Sequence, residues 1–292
     1  MKKLLVIFLL ISSSAIAQTD LHRYYFKVTT HPANISKKDI DSTVTILTKR
    51  LSKQGYQNAA VAYDTAIAKF VVTTKDVLDS TYILFSLIKP FRLFIYETYS
   101  LKELSGNFLK FAADKRAKTS IESFVELIHT NPSNSFAHIG LLNLADTAKF
   151  RKVKTEINKY LPADWILAFP YKLSSPKDAY IQVYGLKENE AKMDVNAMLA
   201  DCKVAVDYRG HPNIALSFNQ LGTKWFAKIT NSNVGRPIAI VIDNRVVTAP
   251  FVNGAVEGGN AEMSGNFTME EAAELVSMFK AGSLPLSLGL AR

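Results

Sequence analysis

The chain has 292 residues, 48% of them hydrophobic and 21% charged, with 35 Lys and Arg against 26 Asp and Glu for a formal charge of +9. This composition excludes the disordered, collagen-like and disulfide-scaffold classes, and it suits one large globular unit or two smaller ones. The basic excess is spread along the chain and reads as a solvated surface, with anionic lipid, nucleic acid or acidic polypeptide as the partners such charge would favour.

At the N-terminus Lys2 and Lys3 precede an apolar run from Leu4 to Ile11 and the triplet Ala15-Ile16-Ala17. A positive segment, a short apolar run and a small-x-small site make a secretory signal, cut before Gln18. The run falls short of the roughly 20 residues that span a bilayer. The expectation is an exported protein, soluble in the periplasm or outside the cell. Cys202 is the only cysteine. It excludes an intramolecular disulfide and reads as a small buried hydrophobe.

Arg23 to Thr29 alternates as a strand and His31-Pro32 ends it. Ser36 then opens a helix, with Asp39 three residues on, and Ile40, Val44, Leu47 and Leu51 form its apolar stripe. Gly55 stands where a left-handed C-terminal cap is wanted. Strands near Asn58–Tyr63 and Ala68–Thr73, a helix from Lys75 to Ile88 and a strand from Arg92 to Tyr96 complete the order βαββαβ. That order predicts a ferredoxin-like unit. Leu101 to Ile128 reads as helical, broken at Ser105-Gly106 and near Thr119, and a turn-rich stretch follows from Thr130 to Ser135. Asp146 is placed to cap a helix that buries Phe150, Val153, Ile157 and Tyr160, and strands follow at Trp165–Tyr171 and Ala179–Tyr184.

In the last third, Val204–Tyr208 and Asn213–Phe218 flank an Arg-Gly-His-Pro turn, and Asn219 caps a helix carrying Leu221, Trp225, Phe226 and Ile229. The stretch IAIVIDNRVVTAPFV reads as a hairpin with an exposed two-residue tip at Asp243-Asn244, residues that tolerate positive φ. Gly254, Gly258, Gly259 and Gly265 mark a loop-rich stretch. Thr268 and Glu271 then form a capping box for a helix that buries Ala272, Leu275 and Phe279, which Gly282 ends with Pro285 beyond.

No arrangement of residues points to catalysis. Gly258-Gly259 lacks the Lys-Ser/Thr of a phosphate loop, and His22, His31, His129, His138 and His211 fall in no metal-ligand spacing. Glu270 and Glu271 serve a helix first turn, and Ser264-Gly265 is half of a nucleophile elbow without the rest. Asp243 as a general base at the hairpin tip remains open, though turn chemistry explains it. The aromatics Tyr24, Tyr25, Phe26, Phe91, Phe94 and Tyr96 read as core packing rather than a base-stacking face. No cofactor is expected.

The segment from Thr223 to Pro285 resembles the head of the first periplasmic domain of SecD and SecDF, the protein-export translocase subunits. The resemblance is carried by Thr230-x-x-Asn233, Gly235, the hairpin with Asp243, Ala249-Pro250, Gly258-Gly259, Ser264-Gly265-Asn266-Phe267-Thr268, Glu271-Ala272 and Ala281-Gly282-x-Leu284-Pro285. Upstream, LTKRLSKQGY, with Arg50 and Gly55, is similar to a helix of that domain's base, and RLFIYETYS to its following strand. The resemblance implies a ferredoxin-like base (18–100) behind a signal peptide (1–17), with a mixed α/β head over 101–292 whose C-terminal end returns to the base. In the family, membrane helices flank this domain and carry proton coupling, whereas here a cleavable signal stands in place of the first of them. The expected function is therefore a non-catalytic exported module that binds extended polypeptide or components of the Sec translocon. The alternatives are a hydrolase built on Asp243 or scattered histidines, and a basic envelope adaptor acting through helices such as that of Lys49, Arg50 and Lys53. Nucleic acid is not expected as a partner.

Overall fold

The computed structural model describes residues 21–29, 35–130, 137–172, 177–188 and 194–291. The expected signal segment, the His31-Pro32 break and most of the turn-rich stretch before Ser135 lie outside the described residues. No described helix is long and apolar enough to cross a membrane.

A four-stranded antiparallel sheet comes first. Its strands are β1 (His22–Val28), β2 (Ala60–Asp64), β3 (Lys69–Thr74) and the C-terminal β13 (Leu288–Leu290), in the order β13-β1-β3-β2. Helix α1 (Lys37–Lys53) packs on it through Leu47 and Leu51, against Phe26, Phe70 and Val72. Ser36 caps α1 by accepting from the Asp39 amide, and Gly55 follows its C-cap at φ +92, the left-handed conformation glycine adopts without strain. Thr43 and Arg50 are buried beside Leu47 and Leu51, while Ile40 and Val44 are only half-buried. The expected second helix, 75–88, is much shorter. The Thr74 hydroxyl accepts from the Asp76 amide and turns the chain, so α2 (Ser80–Tyr82) begins only after its cap, Asp79, and continues as a π turn over Ile83–Leu87.

The expected last strand of this unit sits elsewhere. β4 (Leu93–Thr98) pairs with β10 (Ile238–Ile242) in a different sheet, and β13 takes the vacant edge beside β1. The physical reason is apolarity on both faces. Leu93 and Ile95 enter one core and Tyr96 another, so β4 needs cover on two sides. The short β13, with Leu288 alone buried, suits an edge.

The second sheet contains β4, β10, β11 (Arg245–Thr248), β6 (Trp165–Pro170), β7 (Tyr180–Lys187) and β5 (Gly140–Asn143) in that order. A further pairing of Glu97 and Thr98 with Lys187 and Leu186 closes the first five strands into a ring. Tyr96, Ala168, Tyr184, Leu186, Ala239, Val241 and Val246 pack together in one core of this sheet. All five residues of β10 are buried, Ile238, Ile240 and Ile242 toward one core and Ala239 and Val241 toward the other.

Between β4 and β7 lies a helical module: α3 (Leu101–Leu109), α4 (Lys115–Leu127) and α5 (Thr147–Ile157) around Phe124, Ile128, Phe150 and Ile157. The break between α3 and α4 falls at 110–114, where Asp114 caps α4, rather than at Gly106 or Thr119, both of which are helical. Asp146 makes no capping hydrogen bond; Asn143 opens the preceding 3-10 turn instead, and Tyr160 lies beyond the helix end. The third sheet, β12-β9-β8, is formed by β8 (Leu199–Val206), β9 (Pro212–Phe218) and β12 (Asn260–Ser264). Helices α6 (Gln220–Ser232) and α7 (Met269–Ala281) share its core, with Leu275 and Phe279 buried and Cys202 buried as expected. Leu221 is exposed, because Gly222 and Phe226 form the buried stripe of α6 in its place.

Candidate functional site

The motif residues gather at two places. The first is the junction between the α1 sheet and the β4–β10 sheet. Arg50 is 1% exposed. Its Nη1 donates to the carbonyls of Ser86, Leu87 and Lys89 at 3.1, 2.8 and 2.5 Å, and its Nη2 to Pro90 and Gly282 at 3.4 and 3.0 Å. Loss of hydration pulls its pKa down to about 10, against the opposing pull of the Asp243 charge, so the guanidinium stays charged at neutral pH. Arg50 thus ties the end of α2 to the end of α7 and offers nothing to a lipid or polymer surface, unlike its sequence-based placing on a basic face.

Asp243 occupies the turn of the β10–β11 hairpin, with φ of 47° at Asp243 and 67° at Asn244. The tip is only in part the exposed one expected. Asn244 is exposed, but the Asp243 carboxylate accepts from the Phe91 and Arg92 amides at 3.1 and 2.9 Å, and its own amide donates to the Arg92 carbonyl. These bonds hold Phe91 at φ 57°, an uncommon conformation for a bulky side chain. Asn196 Nδ2 and Ser283 Oγ both donate to the Phe91 carbonyl, and Arg50 and Lys89 lie 5.5 and 5.4 Å from its ring centre. Arg92 donates to the Pro285 carbonyl at 2.9 Å. Ser86 donates to Glu274. Arg50, Asp243, Gly282 and Pro285 are therefore one network, with its charges spent internally. An aspartate whose two oxygens each hold a backbone amide is poorly placed to take a proton from a substrate.

The second place is the loop between β11 and β12. Gly235 donates to the Val252 carbonyl, Val252 to Arg236 and Ile238 to Pro250, which fasten the loop to the entry of β10. Of the Thr230-x-x-Asn233 motif, buried Thr230 accepts from the Val256 amide, and Asn233, the C-cap of α6, donates its Nδ2 to the Ile229 carbonyl. Gly259 lies at φ +68, where an added Cβ would come within 2.3 Å of Thr223 Oγ1, so no side chain fits. Gly258 accepts from Asn260, and Phe267 is buried against Gly265 before the α7 capping box.

Fastened this way, the loop leaves a cleft of about 600 Å³ lined by Phe226, Ile238, Phe251, Val252, Val256 and Ala261 among others, with Glu262 its only charged wall. β12 forms one side of the cleft and among the described residues pairs only with β9, which leaves its other edge open there. The sequence here reads as loop, because two apolar residues between glycines carry little strand signal, and the structure makes it β12. Phe251 is 46% exposed and also borders a neighbouring cavity of about 250 Å³ with Thr98, Tyr99, Gly235 and Pro237. Among the described residues, no group of three or more His, Cys, Asp or Glu side chains could hold a metal ion.

Residues 184–286 match the family described as SecDF, P1 head subdomain. The protein translocase subunit SecD of Rickettsia prowazekii is 46% identical over 92 residues, 32% of this chain and 18% of that protein. The protein translocase subunit SecDF of Thermus thermophilus is 41% identical over 95 residues, 32% of this chain and 13% of that protein. The chain thus spans under a fifth of the length of these relatives. Among solved structures, a SecDF described as a membrane component that enhances protein export aligns over 93% of this chain and 98% of that one, with a TM-score of 0.55 and 20% identity. SecDF in a super-membrane-facing form aligns over 93% of this chain and 29% of that one, with a TM-score of 0.57 and 22% identity. The chain resembles the first periplasmic domain of SecD and SecDF, in sequence over the head and in fold over nearly its whole length.

Proposed function

We propose that the chain is a non-catalytic exported module of the protein-export machinery that binds extended polypeptide in the cleft beside β12. The observation that carries this reading is the coincidence of an apolar cleft with an open strand edge. An extended chain would add to the edge through its backbone and fill the cleft with alternate side chains. Components of the Sec translocon are the partners at which it would act, in keeping with the relatives' description as translocase subunits. The reading divides the chain into a signal peptide cut after Ala17, a base and a head. The base would be a ferredoxin-like sheet whose fourth strand is supplied by β13, and β4 would enter the head.

Binding should be weak, since an extended chain loses conformational freedom on docking. Its dependence on salt should be moderate, because apolar contacts and strand pairing carry most of it. The test is titration of a reduced, unfolded secretory protein and of its folded form against the protein. Preference for the unfolded form supports the reading, and equal affinity or none at high micromolar concentration defeats it.

A further inference from the structure

A separate cavity of about 350 Å³ lies between α5 and the sheet strands β5, β6, β7 and β11. Its apolar lining includes Phe150, Phe169 and Ile181, and its charged lining is Arg151, Lys154 and Arg245. No acidic side chain lines it, and none of the three cations forms an ion pair among the described residues. Eight of its nine lining residues fall outside the span 184–286, so the match to the head subdomain does not account for it.

Each half of this arrangement has an ordinary explanation alone. Exposed cations on a helix are a solvated face, and a hollow between helix and sheet is a loose seam. Together they make an apolar slot with one sign of charge at its mouth, of a size that ligand sites have. Arg151 and Lys154 stand three residues apart on α5 and so share a face, and Arg245 opens β11 beside Phe169.

We infer that this cavity binds an amphiphilic anion, with its acyl chain against Phe150, Phe169 and Ile181 and its carboxylate or phosphate head held by Arg151, Lys154 and Arg245. Charge-assisted hydrogen bonds from guanidinium groups suit either head. The site is independent of the polypeptide cleft and stands or falls apart from it.

The experiment is calorimetric titration of the full chain with decanoate, decyl phosphate and 1-decanol below their aggregation limits, and with phosphatidylglycerol vesicles. The two free anions should bind, and the alcohol at least about tenfold more weakly, the loss of about 1.4 kcal/mol of head contact. The double variant Arg151→Glu, Lys154→Glu changes only exposed side chains, so its melting temperature should stay put while the preference for anions disappears. Equal binding of decanol and decanoate, or full anion binding by the double variant, would overturn the assignment. Binding to vesicles with none of the free amphiphiles would overturn it too, in favour of a membrane-surface patch. Decanoate without decyl phosphate, or the reverse, supports the site and identifies the head.

Discussion

The junction and the cleft use the same run of motif residues in opposite ways. At the junction, the Arg50 amino groups hold the carbonyls of Ser86, Leu87, Lys89, Pro90 and Gly282, Asp243 holds the Phe91 and Arg92 amides, and of the Arg50 nitrogens Nε alone is left without a partner. At the cleft, Gly235, Pro250 and Gly259 hold a loop whose apolar side chains are left without cover. A charged, sequence-conspicuous residue such as Asp243 spends its carboxylate on two backbone amides, while an inconspicuous Phe251 is 46% exposed.

If the junction is architecture, its disruption and that of the core behind it should register as stability. Phe279→Ala should cost roughly 3–5 kcal/mol, because its buried ring packs in the core shared by α7, β8 and β9. Urea denaturation measures this, and an unchanged midpoint would detach α7 from that core. Asp243→Ala should cost less, about 2–3 kcal/mol, by leaving the Phe91 and Arg92 amides without their acceptor. A loss near zero would show that the strained Phe91 turn holds without the hairpin.

A charged cluster on the cleft side is independent of the junction. Glu103 accepts from Lys187 at 2.7 Å and from Arg236 at 2.8 Å, beside the loop that Gly235 turns. Partial burial pushes its pKa up, but the Lys187, Ser100 and Arg236 hydrogen bonds outweigh this and hold the carboxyl at about 2. A depressed folded-state pKa contributes stability that is full above the unfolded value and fades as pH falls toward the folded one. The stability difference between the native chain and Glu103→Gln should therefore shrink as pH drops from about 4.5 to about 2. Melting curves across that window check it, and a difference that does not change with pH would mean the pair contributes little.

What the sequence revealed follows from where its signals are local. Caps are short-range, so Ser36, Asn219 and the Thr268–Glu271 box stand where they were read. The hairpin at Asp243-Asn244 was legible from turn chemistry, but its docking onto Phe91 was not, because that contact joins residues 152 positions apart. Partner choice was the main loss. β4 has an ordinary strand pattern, and nothing local in it says that it pairs with β10 while the distant β13 takes the edge beside β1. β5, β12 and β13 were missed outright, as strands of three to five residues with only two apolar side chains each. The cleft went unseen with β12, since its open edge is one wall.

The smallest effect on stability is the most informative about function. Phe251→Ala removes a ring that is 46% exposed and whose backbone, not its side chain, bridges to Pro237. Such a surface truncation should shift stability by no more than about 0.5 kcal/mol. If the cleft binds extended polypeptide, the same ring is a central anchor, and its loss should weaken that binding by about 2 kcal/mol, or roughly thirtyfold. Fluorescence anisotropy with a labelled unfolded chain reads the affinity, and a parallel melt reads the stability. Unchanged affinity would remove Phe251 from the binding surface and turn attention to the other edge strands, β2, β5, β8 and β13. Equal losses in both measurements would make Phe251 architecture after all, and the contrast between junction and cleft would collapse. A large loss of binding with an unmoved melt is the result that keeps the two regions distinct, because no packing defect produces it.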